Sequence, residues 1–148
     1  ENAVAYDSIV ALTGKPLSAA IAGATLLHLQ SAGRGGIARG LVLASLTATG
    51  AGNRTGRNMG VTTTGQVFAV VFRVLAFTGT DITLTVQESS DDGAGDAYVL
   101  ITGLTSGVLT GINVVRVTTT AATEAWKRVN IAGTFTSALI LVTAGRVI

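Results

Sequence analysis

The chain reads as a single antiparallel β-sandwich, Ig-like or jelly-roll, with a less regular N-terminal segment. Three observations predict this. Short runs rich in β-branched and aromatic residues are separated by Gly, Asn and Asp, the punctuation of sandwiches and barrels. Glycine is frequent, with 19 residues, while Pro16 is the one proline. The length of 148 residues fits one domain with a real core, and no repeat at a solenoid period is present.

The elements follow in chain order. Ala3–Leu12 reads as a strand. Leu17–Gln30 has helix-forming Ala and Leu, opposed by Gly23, Ile21 and Thr25. Ala38–Ala48 is apolar and reads as a strand. Gly50–Gly65 is Gly-rich and aperiodic, so it is expected to be a long loop or arm that reaches a neighbouring molecule. Residues 1–65 are thus taken as irregular strands and an arm, and 66–148 as the main sandwich strands of one domain.

From Gln66 to Phe77, Phe68, Val70, Phe72, Val74 and Ala76 share one face, and Val67, Val71, Leu75 and Phe77 share the other. A strand apolar on both faces is central and covered. After Thr78-Gly79-Thr80, Ile82, Leu84 and Val86 alternate with Thr83, Thr85 and Gln87 as in a half-buried strand. The two are expected to form a hairpin. Ser89–Asp96 is a polar loop, Tyr98–Ile101 a short strand and Gly103–Gly107 a turn region. Ile112–Val117 and Glu124–Ile131 are further strands. In the second, Trp126, Arg128 and Asn130 face opposite to Ala125, Lys127, Val129 and Ile131. Ala138–Val142 suits a buried last strand, and the apolar Val147-Ile148 end favours docking over fraying.

The inventory for catalysis is thin, and no catalytic, cofactor-binding or metal-binding residue is assigned. His28 is the one histidine and lies in an apolar stretch, so it reads as a satisfied buried or half-buried residue rather than a general base. With no cysteine there is no thiol nucleophile, thiolate metal site or disulfide. Zinc would need about three or four ligands from Cys, His or carboxylate. Asp91, Asp92 and Asp96 with Gly93 and Gly95 resemble part of a calcium loop, yet no Glu closes it, and Asp-Gly is a common turn pair. Gly33–Gly36 and Gly50–Thr55 lack the Gly-Lys-Ser/Thr ending of a phosphate loop. Asn53-Arg54-Thr55 is a formal glycosylation sequon, common by chance. Trp126 reads as a core residue with its N–H bonded nearby. An exposed stacking platform with Arg128, for a sugar or a base, is the alternative.

The charge content says most about function. Only 12% of residues are Asp, Glu, Lys or Arg, against about 25% in a typical soluble domain. Mean hydropathy is +0.57. Large apolar patches are usually covered by partners, so much of the outer surface is expected to be buried against other subunits. The net charge of +2 comes without a basic run, so no specific nucleic-acid site is expected, and passive contact with packaged DNA is compatible with it. Leu17–Leu29 and Val67–Phe77 fall short of the ~20 apolar residues of a membrane span. Glu1 at the first position reads as processing, trimming or excision from a longer chain.

One resemblance adds to this. An apolar strand precedes Thr78-Gly-Thr80 and then Thr83-Leu-Thr-Val-Gln-Glu-Ser-Ser-Asp-Asp92. After a variable loop come Thr102, Trp126-Lys-Arg-Val129 and Gly133-Thr-Phe-Thr-Ser-Ala138 before the last apolar strand. This pattern resembles the C-terminal β-domain of the major tail (tail tube) proteins of long-tailed phages. Gln30-Ser-Ala-Gly33, Arg39–Leu43 and Thr47–Gly50 resemble the join into that domain. The resemblance covers roughly Gln30 to the end. It implies a non-catalytic virion subunit, assembled in the host cytoplasm, whose partners are copies of itself and other virion proteins. A complete tube subunit would carry an additional N-terminal β-domain, which the residues before Gln30 are too few to supply. A capsid decoration or cement protein, and a virion carbohydrate-binding module for the host surface, remain the alternatives.

Overall fold

A computed structural model describes residues 4–7 and 38–147 of the chain. The described residues form an all-β sandwich of two antiparallel sheets. The strands are β1 (Val4–Asp7), β2 (Ala38–Ala48), β3 (Gly52–Asn53), β4 (Arg57–Asn58), β5 (Phe68–Gly79), β6 (Ile82–Ser89), β7 (Val99–Leu109), β8 (Asn113–Thr119), β9 (Trp126–Ala132) and β10 (Phe135–Val147). One sheet has the order β1-β2-β10-β5-β8. The other has β3-β9-β6-β7, with β4 also paired to β9.

Strict alternation builds the core. On β5, Phe68, Val70, Phe72 and Val74 are sealed from solvent. They pack with Ile82, Leu84 and Val86 of β6, Val129 and Ile131 of β9, and Ile140 and Val142 of β10. Each such side chain contributes about 1.5–3 kcal/mol on burial. The half-buried character expected for β6 is observed, with Thr83, Thr85 and Gln87 only partly covered. The last strand is longer than Ala138–Val142 but buried there as expected. Thr143, Ala144 and Gly145 are buried beyond it.

Several expectations are corrected. β5 and β6 do not form a hairpin, because they belong to different sheets. Both edges of β5 are taken, by β10 and β8, as befits a central strand. The chain therefore uses Thr80-Asp81 to cross between sheets, and β6 pairs with β7 and β9. The turn expected at Gly103–Gly107 is the interior of β7. Gly103 and Gly107 take positive φ, and the β6–β7 register shifts between Thr83 and Gln87. The glycines thus mark irregularities in a continuing strand rather than its end.

Gly50–Gly65 is not a free arm. Gly52 and Asn53 pair with Ile131 and Asn130, and Arg57 and Asn58 pair with Lys127 and Trp126. The Arg54 and Met59 amides donate to the Val129 and Ala125 carbonyls. Thr62 and Thr123 exchange backbone bonds, and their hydroxyls meet at 2.8 Å. The segment 52–62 is thus a strap along the edge of β9, which would otherwise present a row of unpaired backbone groups. Its periodicity is absent because two-residue pairings are too short to show one. The strap also rules out a phosphate loop at Gly50–Thr55, since strand and not helix follows it.

His28, the Leu17–Gln30 stretch and Gly33–Gly36 lie outside the described residues, as do the second half of Ala3–Leu12 and Ile148.

Candidate interaction surface

Alternation on β9 fixes which side chains meet solvent. Val129 and Ile131 must enter the core, so Trp126, Arg128 and Asn130 point outward. Trp126 is therefore half-buried on the outer face of its sheet, not a core residue. Lys127 takes the inward position instead and is fully buried.

Around Trp126 the polar groups already satisfy one another. Arg128 donates from Nε to Gln87 Oε1 at 2.7 Å, and its guanidinium stacks 4.0 Å from the centre of the Tyr98 ring. Tyr98 donates to Asp92 Oδ1 at 2.6 Å. Partial burial pushes the Tyr98 hydroxyl up, and the Asp92 bond and charge add to the effect. Asn130 Nδ2 donates to Asn53 Oδ1 at 2.7 Å. Arg128 is thus committed to Gln87 and Tyr98 and does not pair with Trp126 as a platform. Gly56 of the strap passes beneath this cluster, where an added Cβ would fall 1.9 Å from the Tyr98 hydroxyl and 2.2 Å from Asp92 Oδ1.

The three aspartates form a β6–β7 hairpin loop that is held by its own amides. Asp91 accepts from the Ala94, Gly95 and Asp96 N–H groups at 3.0, 2.6 and 3.1 Å. The Asp96 amide is the main cause holding the Asp91 carboxyl below its usual value. Asp96 in turn accepts from the Ser90 amide, and Asp92 binds Tyr98. These carboxylates are occupied as turn acceptors. Among the described residues no group of three or more His, Cys, Asp or Glu is placed to hold a metal ion. Among them, too, no helix is long and apolar enough to cross a membrane.

Lys127 is the one buried cation of the described core. Its Nζ donates to the Gly60 carbonyl at 3.0 Å and lies 5.4 Å from the centre of the Phe68 ring. Loss of hydration pulls its pKa down to about 8, opposed by the charge of Glu88 and reinforced by that of Arg146. Arg146 on β10 donates to the next carbonyl of the strap, that of Val61. Two cations from adjacent sheets therefore hold consecutive strap carbonyls across the open end of the sandwich. Nearby, Glu124 has its carboxyl pushed up by desolvation, and then by the carboxylates of Asp96 and Glu88. Lys127 and Arg146 anchor the strap. The Lys127 ammonium is engaged by the Gly60 carbonyl and the Phe68 ring.

The remaining feature is apolar. Eight large apolar side chains are exposed among the described residues, and five of them fall between Val99 and Val114. Val99, Leu100 and Val108 lie on β7, Val114 on β8 and Ile112 in the turn between. β7 and β8 are each an outermost strand, one in each sheet, and the two lie beside one another. From Val99 to Thr119 the only ionised side chain is Arg116. The opposite edge of the β9 sheet is covered by the strap. Sequence reasoning identified most of β8 and only the first residues of β7, and adjacency of the two across sheets has no local signature.

Comparison with known proteins finds no matching family model, no matching curated protein and no matching solved structure.

Proposed function

We propose that this chain is a non-catalytic structural subunit of a phage virion, most readily of the tail, that works by assembling with copies of itself and with other virion proteins. The observation that carries this reading is the β7–β8 side. It carries five exposed Val, Leu and Ile side chains, on β7, β8 and the turn between them, in a chain in which 12% of residues are charged. Exposed apolar surface of this kind marks contact with protein partners. Asp91 holds the β6–β7 turn, and Lys127 and Arg146 hold the strap. The placement in a tail rests on the resemblance to tail tube domains in Gln66–Ile148. A capsid decoration protein would use the same apolar side.

The test is the mass of the protein in solution at low micromolar concentration, with electron microscopy of the same sample. Rings, clusters or tubes support the reading. A monomer at all concentrations, with no apolar dye uptake, removes it.

A further inference from the structure

The far end of β6 gathers carboxyl groups from three segments of the chain. β6 lies between β9 and β7, with Ser89 opposite Trp126 and Glu88 opposite Val99. Continued past the end of β6, those registers bring Glu124 and Asp96 to the two sides of Asp91. Hydrogen bonds fix both residues there. The Glu124 amide donates to Glu88 Oε2 at 2.8 Å. The Ser90 amide donates to Asp96 Oδ2 at 2.8 Å, and Ser89 Oγ donates to the Asp96 carbonyl at 2.7 Å. The Glu124 and Asp96 side chains hydrogen-bond each other across this gap. Two carboxylates have no donor between them, so that bond needs a proton on one of the pair. Like charges in contact favour one shared proton over two ionised groups.

We propose that Glu124 and Asp96 hold one proton between them, as a latch that ties the β6–β7 loop to the entry of β9 in acid and lets go as pH rises. The latch is independent of the proposed assembly. Its surroundings set the direction. Desolvation first, then the negative charges of Asp96 and Glu88, push the Glu124 carboxyl above its usual 4.5. Lys127 of β9 opposes them, but its ammonium is bonded to the Gly60 carbonyl. Arg146 of β10 is bonded to the Val61 carbonyl, and Arg128 to Gln87 and the Tyr98 ring. Asp92 accepts from Tyr98. The folded chain therefore keeps a proton that the unfolded chain has lost. The contribution is complete below pH 4.5 and disappears as pH rises through the Glu124 value. Asp91 acts in a separate window, because its value is lowered from 3.8 and its bonds loosen as pH falls.

Carbon-13 NMR of the carboxyl groups of the full chain, titrated from about pH 3 to 8, tests the latch. Glu124 should titrate above 4.5, and the Asp96 signal should move in the same step, because the proton belongs to the pair. Backbone order parameters report the loop. Those of Gly93 to Asp96 should fall from roughly 0.85 near pH 4 toward about 0.6 near pH 7. Glu124 is exposed, so Glu124→Gln leaves the core intact. It keeps an N–H donor to Asp96 at every pH, so its loop should stay ordered near pH 7. Glu124→Ala should be disordered there at both pH values. Glu124 titrating at or below 4.5, an Asp96 signal that ignores the step, or a wild-type loop equally ordered at both pH values overturns the latch.

Discussion

Lys127→Met separates the electrostatics of the strap anchor from its packing. In the native sandwich the ammonium is sealed from solvent, and its pKa falls from 10.5 to about 8. At about 1.36 kcal/mol per unit, the 2.5-unit difference corresponds to ~3.4 kcal/mol as an upper limit. The site lies at an end of the sandwich near several other charges, so screening reduces this to roughly 1–3 kcal/mol. The sign follows from proton counts. Below pH 8 both folded and unfolded chains hold the proton, and the fold carries the full cost of the buried charge. Between pH 8 and 10.5 the unfolded chain keeps a proton that the folded chain has released, so stability rises with pH. Above 10.5 neither holds it and the cost is gone. Methionine removes this dependence. It also leaves the Gly60 carbonyl without its donor, at about 1–3 kcal/mol, so the two proteins should differ little at pH 7. The assay is urea unfolding from pH 7 to 11, reading the difference between wild type and variant so that other groups cancel. Wild type should gain roughly 1–3 kcal/mol on the variant across pH 8 to 10.5. Parallel curves would refute the reasoning, because they would mean Lys127 is as hydrated in the fold as out of it.

Other substitutions probe the turns and the strap. Gly56→Ala drives a methyl into the Tyr98 hydroxyl and should cost about 1–3 kcal/mol in urea unfolding. Tyr98→Phe in the same chain should recover part of that loss. Gly133→Ala should cost more, since φ is +120° there and an added Cβ would stand 2.5 Å from the Asp81 carbonyl oxygen. The loss should show as a fall in Tm of roughly 2–4 °C per kcal/mol. Ser106→Ala leaves the buried Leu84 amide without its 2.9 Å acceptor, for about 1–3 kcal/mol by the same measurement. Asp91→Asn should speed hydrogen exchange at the Gly95 and Asp96 amides while core amides stay protected. In the wild type the same amides should loosen as pH falls through the lowered Asp91 value.

The strands were legible where one period and one burial partner dominate. Phe68 to Val74 and Ile82 to Val86 announce their faces by alternation, and the burial follows it. The same rule applied to β9 set Lys127 on the face of Val129 and Ile131 and Trp126 on the other, and the structure shows the Lys127 face to be the inward one. Trp126 was read as a core residue by the general preference of Trp for cores, and it lies outward. Register within one strand outweighed residue type, because Val129 and Ile131 set the phase. What was not legible is pairing between distant segments. The Thr78-Gly-Thr80 turn signal is the same whether the chain folds back in one sheet or crosses to the other. The strap was opaque for another reason. Its bonds run from backbone and from Lys127 and Arg146 far along the chain, so nothing local distinguishes it from a loop. Gly103 and Gly107 misled because positive φ serves bulges as well as turns.

The proposed interaction surface began as an expectation from composition alone. A low charge fraction leads to an expectation of covered surface, and the fold places Val108, Ile112 and Val114 on two edge strands and the turn between them. Sedimentation equilibrium of the unmodified chain, run from nanomolar to high micromolar, tests that link most directly. Species at multiples of 14.9 kDa that grow with concentration, and that dissociate in a Val108→Lys, Val114→Lys variant, are the predicted result. A single 14.9 kDa species throughout would contradict it.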